Sequence, residues 1–182
     1  DTQGDVADMC RSRTTDSARH PAKFGHFNCD PSAEGAALAL ARMALVEASP
    51  AFILLGGDDL GHIPPRHEGD SAARASQRAV AAAIRAAFPH TLVLPCLGNH
   101  DTWPYFRAGG EAAGAREELT QLYGDQLPPA QRRHLRGRGY YVHRYSRRLW
   151  LAVLETNMLS LPEAAADAHA QLRWLEETLA AA

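Results

Sequence analysis

The chain changes character every ten to twenty residues instead of holding one hydrophobic period. Residues 31–49 carry Leu38, Leu40, Met43, Leu45 and Val46 among many alanines. This reads as a helix with Asp30 as N-cap and Pro31 in the first turn, ending near Pro50. The run AFILLGG, residues 51–57, is short, continuously apolar and stopped by two glycines, which predicts a strand buried on both faces. A Pro- and His-containing loop follows at 61–69. Residues 70–88 then place Ala79, Val80, Ala83, Ile84 and Phe88 on one helical face before Pro89. A second apolar strand, TLVLPCL, spans 91–97, with Pro95 weakening its end. Beyond a loop at 98–104, helices are expected at 111–124 and 128–136. GYYVHRY (139–145) and LWLAVL (149–154) flank a basic turn, as in a β-hairpin. A last helix over 163–181 sets Leu172, Leu175 and Leu179 on one side. Residues 1–30 lack periodicity and read as loop. The alternation of helices and strands predicts an α/β fold, with a sheet covered by helices.

Composition narrows the picture. A length of 182 residues suits one domain, here a loop region at 1–30 and an α/β core at 31–182. The net charge of −2 offers no broad cationic field, so a nucleic-acid polymer is not an expected partner. No apolar run approaches the roughly 20 residues that would cross a bilayer, and the polar, acidic stretch Asp1–Cys10 is no signal peptide. The cysteines are Cys10, Cys29 and Cys96, without CxxC or zinc-finger spacing. Spacing alone does not choose between a Cys10–Cys29 bridge and separate thiols. Cys96, in an apolar strand, reads as a small buried hydrophobe.

Two strand ends carry the candidate chemistry. GGDDLGH (56–62) follows the first strand and GNHD (98–101) follows the second. In open α/β sheets ligands bind beyond the carboxyl ends of strands, and glycine there lets the backbone turn sharply. Asp58, Asn99 and His100 are oxygen and nitrogen donors of the kind that suits divalent metals. Each alone has a plainer role, since Asp commonly caps a turn and Gly-Asn is a common turn pair. His62 and His67 sit in a Pro-rich loop where exposure is the default. Two buried strands ending alike in glycine plus a metal-type donor are far less expected by chance.

This pair of motifs resembles the calcineurin-like metallophosphoesterase superfamily, and more closely its acid sphingomyelinase and acid sphingomyelinase-like phosphodiesterase branch. The resemblance spans nearly the whole chain. It includes Cys10-Arg-Ser, Phe24-Gly25, Cys29-Asp30, GGDDLGHIPP, LPCLGNHDTWP, GYY at 139–141, ETN at 155–157 and QLRWLEETL at 171–179. It implies a layered α/β/β/α sandwich, incomplete in this chain, and a two-metal phosphodiesterase site that takes two zinc ions when complete. Asp58 would bridge both metals and Asn99 would bind the second. His100 would stand beside the phosphate and His62 would protonate the leaving group. Hydrolysis would proceed by in-line attack of a metal-activated hydroxide on a small-molecule phosphodiester or lipid headgroup. The resemblance also implies a Cys10–Cys29 disulfide and an extracellular, secretory or lysosome-like compartment.

In the family pattern a D-x-H motif precedes the position of Asp1, and two histidine motifs follow that of Ala182. With Asp58 and Asn99 as its clear ligands, this chain alone is expected to hold at most one metal, weakly, and to hydrolyse little. A phosphomonoesterase of the same superfamily and a non-catalytic α/β module are the alternatives. The substrate headgroup and the oligomeric state are left open by the sequence.

Overall fold

A computed structural model describes residues 30, 31, 33–59, 70–102 and 105–182. Cys10, Cys29 and His62 lie outside the described residues. The described residues fall into two units, one made of those within 30–52 and 59–92, the other of those within 53–58 and 93–182.

In the first unit, helix α1 (Ala33–Val46) lies against helix α2 (Asp70–Ala87). Helix α1 begins two residues later than expected, so Pro31 precedes the helix and Asp30 is not its cap. It ends at Val46, four residues before Pro50. Its less exposed positions, Ala36, Leu40 and Ala44, share one face, while Met43, Leu45 and Val46 are exposed. Helix α2 buries Gln77, Ala81, Ile84 and Phe88, which follow helical spacing. The expected face was right about Ile84 and Phe88, but Ala79 points outward.

The second unit holds two small sheets. Strands β1 (Ile53–Leu55) and β2 (Val93–Pro95) pair in parallel, with Ile53 opposite Val93 and Leu55 opposite Pro95. The ladder continues one step through the Cys96 N–H, which donates to Leu55 O at 3.0 Å. Strand β2 is buried throughout. Strand β1 is not: Leu54 is 61% exposed, which corrects the expectation of a strand covered on both faces. Strands β3 (Tyr141–Arg144) and β4 (Trp150–Val153) form the expected antiparallel hairpin. Its turn is held by the Ser146 hydroxyl, which accepts the N–H groups of Arg148 and Leu149. The Arg144 guanidinium lies 3.9 Å over the Trp150 ring. One buried hydrogen bond joins the sheets, from Tyr141 Oη to Pro95 O at 3.0 Å. Burial first, and then Cys96, raises the Tyr141 phenol far above its ordinary range, so it remains a donor.

Helices α3 (Ala113–Tyr123) and α4 (Pro129–Arg138) pack on one another, burying Leu119, Tyr123 and Leu135. Pro129 opens α4, and Gly139 closes it with φ +81°. Helix α5 (Ala165–Ala180) buries Ala168 and Gln171, while Leu172 and Leu179 are exposed. The expected Leu172–Leu175–Leu179 stripe is therefore not the buried face. Ala164 and Ala168 cluster with Ala108, Tyr140 and Met158, and Leu161 and Trp174 pack on them. Mixed α/β is the class that was expected. Among the described residues, no helix is long and apolar enough to cross a membrane.

A buried polar pair closes the space between β4 and α5. The Gln171 amide accepts the Glu155 N–H at 2.7 Å and donates to Glu155 O at 3.1 Å. The Glu155 carboxylate is fully buried, with Arg116 Nη1 3.6 Å away. Neither carboxylate oxygen has a hydrogen-bond partner among the described residues. Burial pushes this carboxyl up to about 7; Arg116 opposes the rise and Asp167 adds to it. A raised folded-state pKa favours the protonated native form. The stabilisation from Glu155 is therefore complete below pH ~4.5 and lost as pH rises through about 7. Urea unfolding of wild type and Glu155→Gln across pH 4–9 should show a decline in the wild type that the variant lacks.

Candidate functional site

Two loops leave the carboxyl ends of adjacent parallel strands and interlock. The first runs Gly56-Gly57-Asp58 from β1, the second Gly98-Asn99-His100-Asp101 from β2. Glycine is required at their contact. A Cβ on Gly57, whose φ is +83°, would collide with Gly98 N, and one on Gly98 would collide with the backbone and carboxylate of Asp58. Asp58 itself has φ +58°, a left-handed conformation that Asp tolerates better than most residues.

Three backbone N–H groups secure this geometry. Asp101 Oδ2 accepts from Asp58 N at 2.9 Å and from Gly98 N at 2.8 Å. Asp58 Oδ1 accepts from His100 N at 2.9 Å. Hydrogen bonds to a charged acceptor are the stronger kind, and Asp101 is only 4% exposed. Asn157, just past β4, donates from Nδ2 to Gly98 O at 3.1 Å, so both backbone polar groups of Gly98 are engaged. The loop then doubles back: Phe106 N donates to Asn99 O at 2.9 Å, and Arg107 N to Thr102 Oγ1 at 3.0 Å. The His100 ring stacks on Tyr105 at 4.6 Å.

The expected residues Asp58, Asn99 and His100 therefore meet on one sheet edge, while His62 lies outside the described residues. Sequence reasoning missed two others. Asp101 was visible only as the last letter of GNHD, and Asn157 only as the last letter of ETN. Asp58 presents an exposed carboxylate with lone pairs beyond the one taken by His100 N–H, and Asn99 adds an amide oxygen. These are fitting donors for a hard or borderline cation. Among the described residues, no group of three or more His, Cys, Asp and Glu could hold a metal.

Comparison with known proteins gives the same direction as the motifs. The sphingomyelinase phosphodiesterase C of Dictyostelium discoideum is 28% identical over 188 residues, covering 97% of this chain and 41% of that protein. The acid sphingomyelinase-like phosphodiesterase 3b of Mus musculus is 26% identical, covering 96% and 40%. A cyclic GMP-AMP phosphodiesterase of Homo sapiens is likewise 26% identical, covering 96% and 40%. The chain is similar to acid sphingomyelinase-like phosphodiesterases over nearly its whole length. It spans about two fifths of the length of these relatives. No protein-family model matches it.

Removing the Asp101 carboxylate orphans two donors at once. Asp101→Ala should cost ~2–4 kcal/mol and speed amide exchange at Asp58 and Gly98 before other positions. Asp101→Asn keeps an acceptor oxygen without the charge and should fall between. Exchange at those two amides unchanged in Asp101→Ala would show that the loops are held by other contacts.

Proposed function

We propose that this chain carries part of the site of a metal-dependent phosphodiesterase of the sphingomyelin phosphodiesterase-like kind. The observation that supports this best is the interlocking of the Asp58 turn with the GNHD loop at neighbouring strand ends. In this reading Asp58 and Asn99 would be among the residues that hold divalent ions, zinc by the family pattern. When bound, such ions polarise the phosphate and supply a nucleophile at neutral pH.

The chain's own residues do the remaining work. The His100 N–H fixes Asp58 through Oδ1 and leaves its other lone pairs for the cations. His100, held against Tyr105, stands beside the phosphate and offsets charge that develops there. His62 delivers the proton that the departing oxygen needs. The substrate is a phosphodiester of a small molecule or lipid headgroup. Two metals need more donors than Asp58 and Asn99, so the chain by itself holds metal weakly and turns over slowly.

The test is residues 1–182 with added zinc on bis(4-nitrophenyl) phosphate, beside a full-length relative. Turnover should fall at least about a hundredfold below the relative's, and Asp58→Ala should remove what is left. Comparable turnover would mean that the chain completes its site by another route.

The reading also carries a compartment. We place the protein in an extracellular, secretory or lysosome-like setting, with Cys10 and Cys29 joined. A loop of that size contributes ~3 kcal/mol through a disulfide on the chain-entropy model. Thiol titration of unreduced, denatured protein from an oxidising host should find one thiol per chain, that of Cys96. A count of three would oppose both the bond and the compartment.

A further inference from the structure

We infer that the tip of the β3–β4 hairpin docks this chain on an anionic phospholipid bilayer, with Arg147 and Arg148 meeting lipid phosphates and Tyr145 and Leu149 entering the interface. The inference goes beyond the phosphodiesterase reading and does not depend on it.

The chain's charge is nearly balanced, but its distribution is not. From Gln126 to Leu154 there are seven arginines and no Asp or Glu. Helix α4 and the hairpin carry these arginines, and the two elements pack together, with His143 Nδ1 2.9 Å from Gln131 Oε1. Among the described residues, Arg136 is the one of the seven that meets a carboxylate, that of Glu117 at 2.6 Å. Arg138 and Arg144 lie instead over the rings of Tyr140 and Trp150. The positive field is felt locally: burial first, then Arg138 and Arg133, hold the His134 imidazole below its ordinary range.

Tight hairpin turns are usually built from Asn, Asp and Gly. Here the Ser146 hydroxyl holds the turn, accepting the N–H groups of Arg148 at 3.2 Å and Leu149 at 3.1 Å. Leu149 O takes the N–H groups of Tyr145 and Ser146 at 3.0 and 3.1 Å. These four bonds fix the tip without using the side chain of Arg147 or Arg148, and both residues are exposed. Tyr145, 44% exposed, and Leu149, 39% exposed, flank them. The other end of the hairpin is the engaged one: Tyr141 reaches Pro95 O, and Asn157, past β4, reaches Gly98 O.

The composition of the tip selects its partner. A nucleic-acid strand would need open aromatic faces for its bases, yet the Trp150 ring carries Arg144 and Leu149 has no ring. A soluble polyanion would use the arginines and gain nothing from Leu149. A bilayer surface, charged outside and apolar beneath, complements both kinds of side chain on one fixed projection. Tyr sits at headgroup level, and guanidinium groups bond phosphate while their stems lie along apolar surface.

The test is co-sedimentation of the full chain with vesicles of phosphatidylcholine alone, or with about 30% phosphatidylserine added. Binding should require phosphatidylserine and vanish at about 1 M salt. Replacing both arginines, Arg147→Ala with Arg148→Ala, should weaken it about thirtyfold, while Arg147→Lys with Arg148→Lys should keep it. Leu149→Ser should weaken vesicle binding about fivefold and leave binding to heparin unchanged. Arg42→Ala with Arg173→Ala, which removes exposed arginines of α1 and α5, should bind as wild type. A thermal melt verifies that each variant folds. Equal binding to both kinds of vesicle, or binding to neither, overturns the inference. A folded Arg147→Ala, Arg148→Ala variant with wild-type affinity overturns it too, as does an equal loss in the Arg42→Ala, Arg173→Ala control. Tighter binding to heparin or to an oligonucleotide than to the charged vesicles, with no effect of Leu149→Ser on either, would make the tip a polyanion site and overturn the lipid assignment.

Discussion

A single carboxylate oxygen, Asp101 Oδ2, organises the strand-end loops on which the candidate site rests. It accepts N–H groups from both loops, one from Asp58 and one from Gly98. Asp58 reciprocates by taking the His100 N–H. Asp58 itself is left exposed, with carboxylate lone pairs that the His100 N–H does not take. The same bonds that secure the backbone thus also orient the Asp58 carboxylate.

This arrangement is possible only because two glycines let main chains touch. Gly57 and Gly98 approach so closely that a methyl group on either would strike the opposite loop. That much was legible beforehand: glycine before a polar residue at each strand end suggested a sharp turn at a ligand site, and Asp58, Asn99 and His100 do gather there. The role of Asp101 was not legible. In sequence it is one more polar loop residue, and its partners are 43 and 3 positions away. Long-range pairing of a carboxylate with backbone N–H groups leaves no periodic trace. Asn157, which reaches Gly98 across 59 positions, escaped for the same reason.

The elements themselves were read nearly in place, because short apolar runs bounded by glycine and proline, and helical spacing of apolar residues, are strong local signals. The errors concern faces and ends. An apolar run shows that both sides of a strand could be covered, not that they are, and Leu54 is exposed. In α5 the spacing of leucines is satisfied equally by a face rotated toward Ala168, Gln171 and Leu175. The polar Gln171 decides between them, because its amide pairs with both backbone groups of Glu155. A buried polar side chain reads as an outward residue to any analysis based on hydrophobicity.

The segment 155–157 joins stability to the site. At its start, Gln171 anchors the Glu155 backbone to α5, and the Glu155 carboxylate is buried beside Arg116. Arg116 in turn donates to Gly109 O and Arg136 O, so one guanidinium spans the turn before α3 and the last turn of α4. Two residues after Glu155, Asn157 holds the carbonyl of Gly98. A buried charge held by one imperfect partner is costly, whereas its backbone is fully satisfied. The cost is borne at a point that fixes where Asn157 emerges. Protonation of Glu155 relieves that cost at mildly acidic pH and leaves the backbone bonds to Gln171 in place. The path from α5 to the GNHD loop is therefore most secure in the mildly acidic range.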